Sequence, residues 1–135
     1  MHDEGIQTAV ATIGNDVYKT ELVARDHTVI ADEPLDVGGK DLGPRPGDFI
    51  RMGLASCTAI TLRMYANRKG WDVQQIRVQV SNGPFEGKSS YKTEIEITGN
   101  IDEEQRNRLL QIAKLCPVHK VLTNPIEIDT SLSIT

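Results

Sequence analysis

The chain has 135 residues, of which 39% are hydrophobic, and its formal net charge at pH 7 is −4. This length predicts a single domain spanning residues 1–135. The negative charge argues against a nucleic acid or an anionic membrane surface as partner, because phosphate groups are bound by clustered cations. No stretch approaches the roughly 18 apolar residues that would predict a membrane span.

The first third of the chain is predicted to form strands. Short runs of apolar and β-branched residues cover positions 8–13, 17–24 and 27–31, and a Gly-Asn-Asp turn signal separates the first two runs. The sequence LDVGGKDLGPRPGD that follows is rich in glycine and proline. That composition predicts an irregular loop.

A long helix is predicted from Pro46 to Lys69. Proline suits the first turn of a helix, and the sequence Arg68-Lys69-Gly70 is typical of a helix end. The residues between are apolar or small on almost every face, which predicts a buried central helix. A short chain offers little surface to cover such a helix, so the pattern favours an obligate dimer.

The second half of the chain alternates strands and short helices. Its elements are predicted in the following order: a strand at 73–81, a loop over NGPFEGKSS, a strand at 91–101, a helix from the N-cap Asp102 to about 115, a short helix at 117–122 and a closing strand at 126–134. Strands grouped apart from a buried helix indicate an α+β fold.

The two cysteines, Cys57 within the long helix and Cys116 in LCPVHKVL, are the candidate reactive groups. The opening MHDEGIQTAV has neither the basic nor the apolar segment of a signal peptide, so we expect the protein in the cytoplasm. In that reducing compartment, cysteines are more often catalytic, redox-active or metal-binding than structural. Cys116 directly precedes the short helix, whose first turn carries partial positive charge that favours a thiolate.

Other interpretations of the cysteines remain open from the residues alone. Cys57 could be a small buried hydrophobe. A zinc site would need about four closely spaced ligands, whereas the chain has no CxxC and its histidines are scattered, so we expect no metal. A cysteine hydrolase or acyl carrier would require a nearby base. His119, three residues after Cys116, is better explained as a surface or capping residue.

Two segments together resemble the OsmC-like family, which includes the organic hydroperoxide resistance proteins. They are ADEP…GG…GPRPGDFIRMGLASCTAITLRMYANRKGW and LCPVHKVL, and the resemblance spans about residues 27–122. It implies an OsmC-like fold, in which antiparallel sheets wrap long buried central helices in an intertwined homodimer. Both active sites would then lie at the subunit boundary.

The resemblance also implies a cysteine-based peroxidase that acts in the oxidative stress response. Cys57 would attack a hydroperoxide and become a sulfenic acid, and Cys116 would resolve it as a Cys57–Cys116 disulfide. A dithiol reductant would reset the pair by exchange, and the cycle would need no cofactor. The apolar helix favours organic hydroperoxides over hydrogen peroxide. The alternative function is a non-catalytic dimer that senses redox state or binds a small molecule.

Charged residues before Cys57 are the expected supporting groups. In well-studied family members, an arginine from the loop before the helix and a glutamate ten residues before the first cysteine hold the thiolate and the peroxide. Here Gly47 stands at the glutamate position and Asp48 follows it. Asp48 is therefore expected to orient a cation, either Arg51 at the i+3 spacing or Arg45 from the loop.

Overall fold

The structure, a computed structural model, describes residues 5–134. His2, one of the scattered histidines considered above, lies outside the described residues. The chain divides into two compact units, one ending at Ile50 and the other beginning at Arg51. Among the described residues, no helix combines the length and the apolar character needed to cross a bilayer.

The first unit contains an antiparallel sheet of three strands. These are β1 (Ala9–Thr12), β2 (Thr20–Ala24) and β3 (His27–Ala31), paired in that order. The sequence predicted all three, with β3 at its observed bounds and β2 beginning three residues too early. Short runs of apolar and β-branched residues bounded by turn residues were therefore a sufficient signal here.

The loop that follows β3 is ordered by Asp32, whose side chain is 2% exposed. Its carboxylate accepts hydrogen bonds from the backbone N–H groups of Glu33, Tyr18 and Leu42 at 2.7, 3.1 and 3.2 Å. Burial alone would raise the pKa of this carboxyl, but the backbone donors outweigh it, and the pKa lies below its ordinary value. The charged form of Asp32 therefore holds the glycine-rich loop against the strands.

The long helix α1 runs over Pro46–Lys69, the predicted bounds. One face is buried, through Leu54, Thr58, Leu62, Tyr65 and Ala66. A second, apolar face stays open, because Met52, Ile60 and Met64 are 44%, 49% and 50% exposed. The expected burial on nearly every face is thus not achieved within one chain, which covers a single side of the helix.

A long hairpin follows α1. Strand β4 (Asp72–Phe85) pairs antiparallel with β5 (Lys88–Asn100), and the turn residues Glu86 and Gly87 have φ of 53° and 75°. Positive φ at both central residues is typical of a tight two-residue hairpin turn. The predicted loop over NGPFEGKSS is therefore wrong. Pro84 is tolerated because β4 pairs on one side only among the described residues, so its missing N–H costs no ladder bond.

Helix α2 (Glu103–Ala113) begins with the predicted capping box. Asp102 accepts from the backbone N–H of Gln105 at 2.8 Å, and its own N–H donates to the Gln105 side chain at 2.9 Å. The core of this unit joins α1, β4 and α2 through Leu62, Tyr65, Ala66, Val73, Leu109, Ile112 and Ala113. A short helix, α3 (Pro117–Thr123), follows.

The closing strand predicted at 126–134 is wrong for this chain, because the structure assigns no strand there. Its alternating apolar residues are all more than half exposed; they are Ile126, Ile128, Leu132 and Ile134. A strand forms where a neighbouring edge takes its N–H and C=O groups and a surface covers its apolar face. The described residues of one chain supply neither.

Candidate active site

The structure brings the two cysteines into one site within the second unit. Both are free thiols, and Cys116 is close enough to raise the pKa of the Cys57 thiol. Cys57 is partly exposed, whereas Cys116 is completely buried. The pair therefore combines one partly exposed cysteine with one that is enclosed by the protein.

The first turn of α3 provides a backbone donor to each sulfur. Pro117 begins the helix and has no N–H, so the first free donors are those of Val118 and His119. The His119 N–H donates to Sγ of Cys116 at 3.2 Å, which makes Cys116 the N-cap of α3. The Val118 N–H lowers the pKa of the Cys57 thiol.

Two threonines of α1 also border the sulfurs. Thr58, 2% exposed, donates its hydroxyl hydrogen to the carbonyl of Leu54 at 2.8 Å. Its oxygen lies 3.8 Å from Sγ of Cys116. A hydroxyl has one hydrogen, so the Thr58 hydroxyl can donate to the Leu54 carbonyl or to the Cys116 sulfur, and the carbonyl is the nearer acceptor. Thr61 lies one helical turn after Cys57.

The pKa of the Cys57 thiol is raised above its ordinary value, with burial as the main cause. The Val118 N–H lowers the pKa, the neighbouring Cys116 raises it and the Thr61 hydroxyl lowers it. Since the thiolate is the nucleophilic form of cysteine, the reactivity of Cys57 should increase as the pH rises above neutral.

The predicted supporting residues lie in different units. Asp48 accepts a hydrogen bond from the backbone N–H of Arg45 at 2.8 Å, which stabilises the first turn of α1. Arg51, in the second unit, donates to Oδ1 of Asn82 on β4. The role of all three residues beside Cys57 stays a prediction.

A cavity of about 400 Å³ lies against α3 in the same unit. It borders the cysteine site through Leu54, whose carbonyl accepts from Thr58, and His119, whose N–H donates to Cys116. The wall combines apolar and hydroxyl-bearing side chains, namely Leu54, Ser89, Ser90, Tyr91, Thr93, His119, Leu122 and Thr123. Such a wall suits a small organic molecule with a few polar atoms. Among residues 5–134, no group of three or more acidic, histidine or cysteine side chains could hold a metal ion.

Sequence reasoning missed Thr58, Thr61 and Val118. Thr61 could have been found, because residues four apart on a helix are neighbours. The contacts of Thr58 with Cys116 and of Val118 with Cys57 join α1 to α3, and no local spacing predicts them.

Comparison with known proteins places this site in a family context. A family model described as OsmC-like protein matches residues 38–131. An OsmC-like protein from Mycoplasma pneumoniae superposes with a TM-score of 0.71 at 19% identity, over 89% of each chain. A putative osmotic stress induced and detoxification response protein from Psychrobacter arcticus gives 0.69 at 24% identity, over 90% of this chain and 91% of the other.

An organic hydroperoxide resistance protein from Elizabethkingia anophelis gives a TM-score of 0.65 at 20% identity, over 94% of each chain. Comparison with curated proteins gives no match. At these identities the superpositions show the fold, and they confirm the predicted α+β class with antiparallel sheets. The family match covers well over half of the chain, so this protein belongs to the OsmC-like family.

Proposed function

We propose that this protein is a thiol-dependent peroxidase that reduces organic hydroperoxides, and also hydrogen peroxide, through Cys57. The observation that carries the proposal is the pair of adjacent free thiols, one accessible and one buried. The accessible Cys57 meets the peroxide first, and the buried Cys116 resolves the product. Structural relatives named organic hydroperoxide resistance proteins support this substrate class.

The cycle follows from thiol chemistry. The Cys57 thiolate attacks one peroxide oxygen, the O–O bond breaks, and the alkoxide that leaves takes up a proton to become an alcohol. Cys57 is now a sulfenic acid. The Cys116 sulfur attacks it, the S–O bond breaks, and hydroxide departs with the Cys116 proton as water. A dithiol reductant then returns both thiols by two exchange steps and leaves as its own disulfide.

Peroxide consumption with a dithiol tests the proposal. Cys57→Ser should lose turnover, because a serine hydroxyl is a far weaker nucleophile at neutral pH. Cys116→Ser should still be oxidised at Cys57 but should progress to sulfinic acid, since no neighbouring thiol resolves the sulfenate. Circular dichroism verifies that both variants are folded. Turnover by Cys57→Ser at the wild-type rate would remove Cys57 from the mechanism.

We also propose that the working form is a homodimer. In one chain the stripe of Met52, Ile60 and Met64 on α1 is open, and the alternating apolar residues at 126–134 have no partner strand. A second copy that covers both would bury the more than about 2,000 Å² typical of obligate dimers. Sedimentation should give a dimer at micromolar concentration, and Ile60→Lys should weaken it. A stable, folded wild-type monomer would contradict the proposal.

A second candidate function is a redox sensor that reacts with peroxide once. The raised pKa of Cys57 favours it, because a small thiolate fraction at neutral pH slows catalysis. With excess dithiol, an enzyme consumes many equivalents of hydroperoxide per chain at a steady rate. A sensor consumes a single equivalent and then stops, even though the reductant remains.

A further inference from the structure

The Thr61 hydroxyl is buried and has no hydrogen-bond partner among the residues that the structure describes. Buried polar atoms without a partner are rare and costly, so each such atom calls for an explanation. Thr58 on the same helix shows the usual solution, since its hydroxyl donates to the carbonyl four residues earlier at 2.8 Å. Thr61 does not form the equivalent bond to the carbonyl of Cys57, so its hydrogen remains available.

The position of Thr61 on α1 directs this hydroxyl towards the Cys57 sulfur. Side chains on a helix lean towards its N-terminus and cover the residue four positions earlier. For Thr61 that residue is Cys57. The hydroxyl is close enough to lower the pKa of the Cys57 thiol, although it forms no hydrogen bond with a described residue in the structure.

We propose that Thr61 is a positioning residue whose hydroxyl donates a hydrogen bond to the Cys57 sulfur when that sulfur is ionised. A role of Thr61 in peroxide reduction rests on the proposed function, whereas stabilisation of the Cys57 thiolate by Thr61 does not. Together with the Val118 N–H, the hydroxyl gives the thiolate two donors from two elements.

The Thr61 hydroxyl can stabilise the Cys57 thiolate because it has no other hydrogen-bond partner among the described residues. A donor that is already satisfied gains little when charge develops nearby, whereas an unsatisfied one forms a new, charge-assisted bond. The bond exists only in the ionised form, so it stabilises that form selectively and without rearrangement of the backbone. The opposite arrangement, in which Thr61 accepts the Cys57 S–H, would stabilise the neutral thiol and predicts the reverse shift.

The test is the pH dependence of Cys57 alkylation in the reduced full-length protein, followed at Cys57 by peptide mass mapping. Thr61→Val keeps the shape of the side chain and removes the hydroxyl. In this variant the pH midpoint of Cys57 alkylation should rise by about one pH unit, which corresponds to a tenfold loss of thiolate near neutrality. Thr61→Ser keeps the hydroxyl and should remain near wild type. Thr98→Val, at an exposed threonine of β5, is the matched control.

Three results would overturn the inference: an unchanged midpoint in Thr61→Val, a lowered midpoint, or an equal rise in Thr61→Val and Thr61→Ser. The last would show that the methyl group, not the hydroxyl, matters. Should Thr61→Val prove unfolded by circular dichroism, Thr61→Ala provides the same comparison with a smaller side chain. Its midpoint should also rise, and an unchanged value would count against Thr61.

Peroxide consumption by the same variants separates this inference from the proposed function. If the midpoint rises in Thr61→Val but wild type does not consume hydroperoxide, Thr61 supports the thiolate and the peroxidase proposal fails. If wild type turns over and Thr61→Val keeps both its midpoint and its rate, the peroxidase stands and Thr61 has no part in it.

Discussion

Oxidation of Cys57 and Cys116 to a disulfide should stabilise the fold by about 1–3 kcal/mol. The bridge closes a loop of about 60 residues, which restricts the unfolded chain by roughly 4 kcal/mol in the entropic model. A disulfide sulfur is a poorer acceptor than a thiol, so the N–H groups of Val118 and His119 lose their partners. Each lost hydrogen bond costs roughly 0.5–1.5 kcal/mol. The loop term exceeds these losses.

Urea unfolding of the reduced and the peroxide-treated protein, at one protein concentration, measures the difference. The oxidised form should unfold at a higher urea concentration with a similar slope. Cys116→Ser treated in the same way cannot form the bridge and should show no gain. If the bridged wild type is no more stable than the reduced form, the native site strains the disulfide, and our placement of the two sulfurs is wrong.

Two further predictions concern the scaffold. Asp32→Asn should destabilise the fold near neutral pH. Because the folded-state pKa of Asp32 is lowered, the loss in free energy of unfolding relative to wild type should be complete above about pH 4 and should shrink as the pH falls further. Thermal melts in which this loss did not depend on pH would contradict the prediction. Leu109→Ala, at a side chain 1% exposed, should cost about 2–5 kcal/mol. Leu110→Ala, at 56% exposure, should change the free energy of unfolding by about 0.5 kcal/mol or less, and similar urea midpoints for the two would refute the assigned core.

Elements governed by local interactions were predictable from the sequence. The bounds of α1 follow from Pro46 at its start and Gly70 just past its end. The capping box of Asp102 and Gln105 likewise depends on residues three apart. In each case the signal and the structure it specifies lie within one turn of each other, so the rest of the fold is not needed to interpret them.

Elements that depend on distant partners were not predictable. Gly83 and Pro84 indicated a loop, but the register with β5 carries the ladder through them to the turn at Glu86. The alternation at 126–134 indicated a strand, yet no neighbouring edge among the described residues pairs with it. A pattern of apolar residues specifies a face to be buried, but not what buries it.

In the candidate site, too, local features were predictable from the sequence and long-range contacts were not. Cys57 and Cys116 stood out by residue type and local sequence, and the structure places their sulfurs together. The bond from the His119 N–H to Cys116 is local, since Cys116 is the N-cap of α3. The approach of the Val118 N–H to Cys57 was hidden, because it depends on the packing of α3 near α1. The sequence also predicted a guanidinium beside Cys57, from Arg45 or Arg51, and that role stays a prediction.

Peptide mapping under non-reducing conditions, after treatment with one equivalent of an organic hydroperoxide, shows whether Cys57 and Cys116 react as a pair. We expect a Cys57–Cys116 disulfide within one chain as the main product, with one equivalent of alcohol released. A Cys57 oxidised to sulfinic or sulfonic acid beside a Cys116 that is still a free thiol would contradict it.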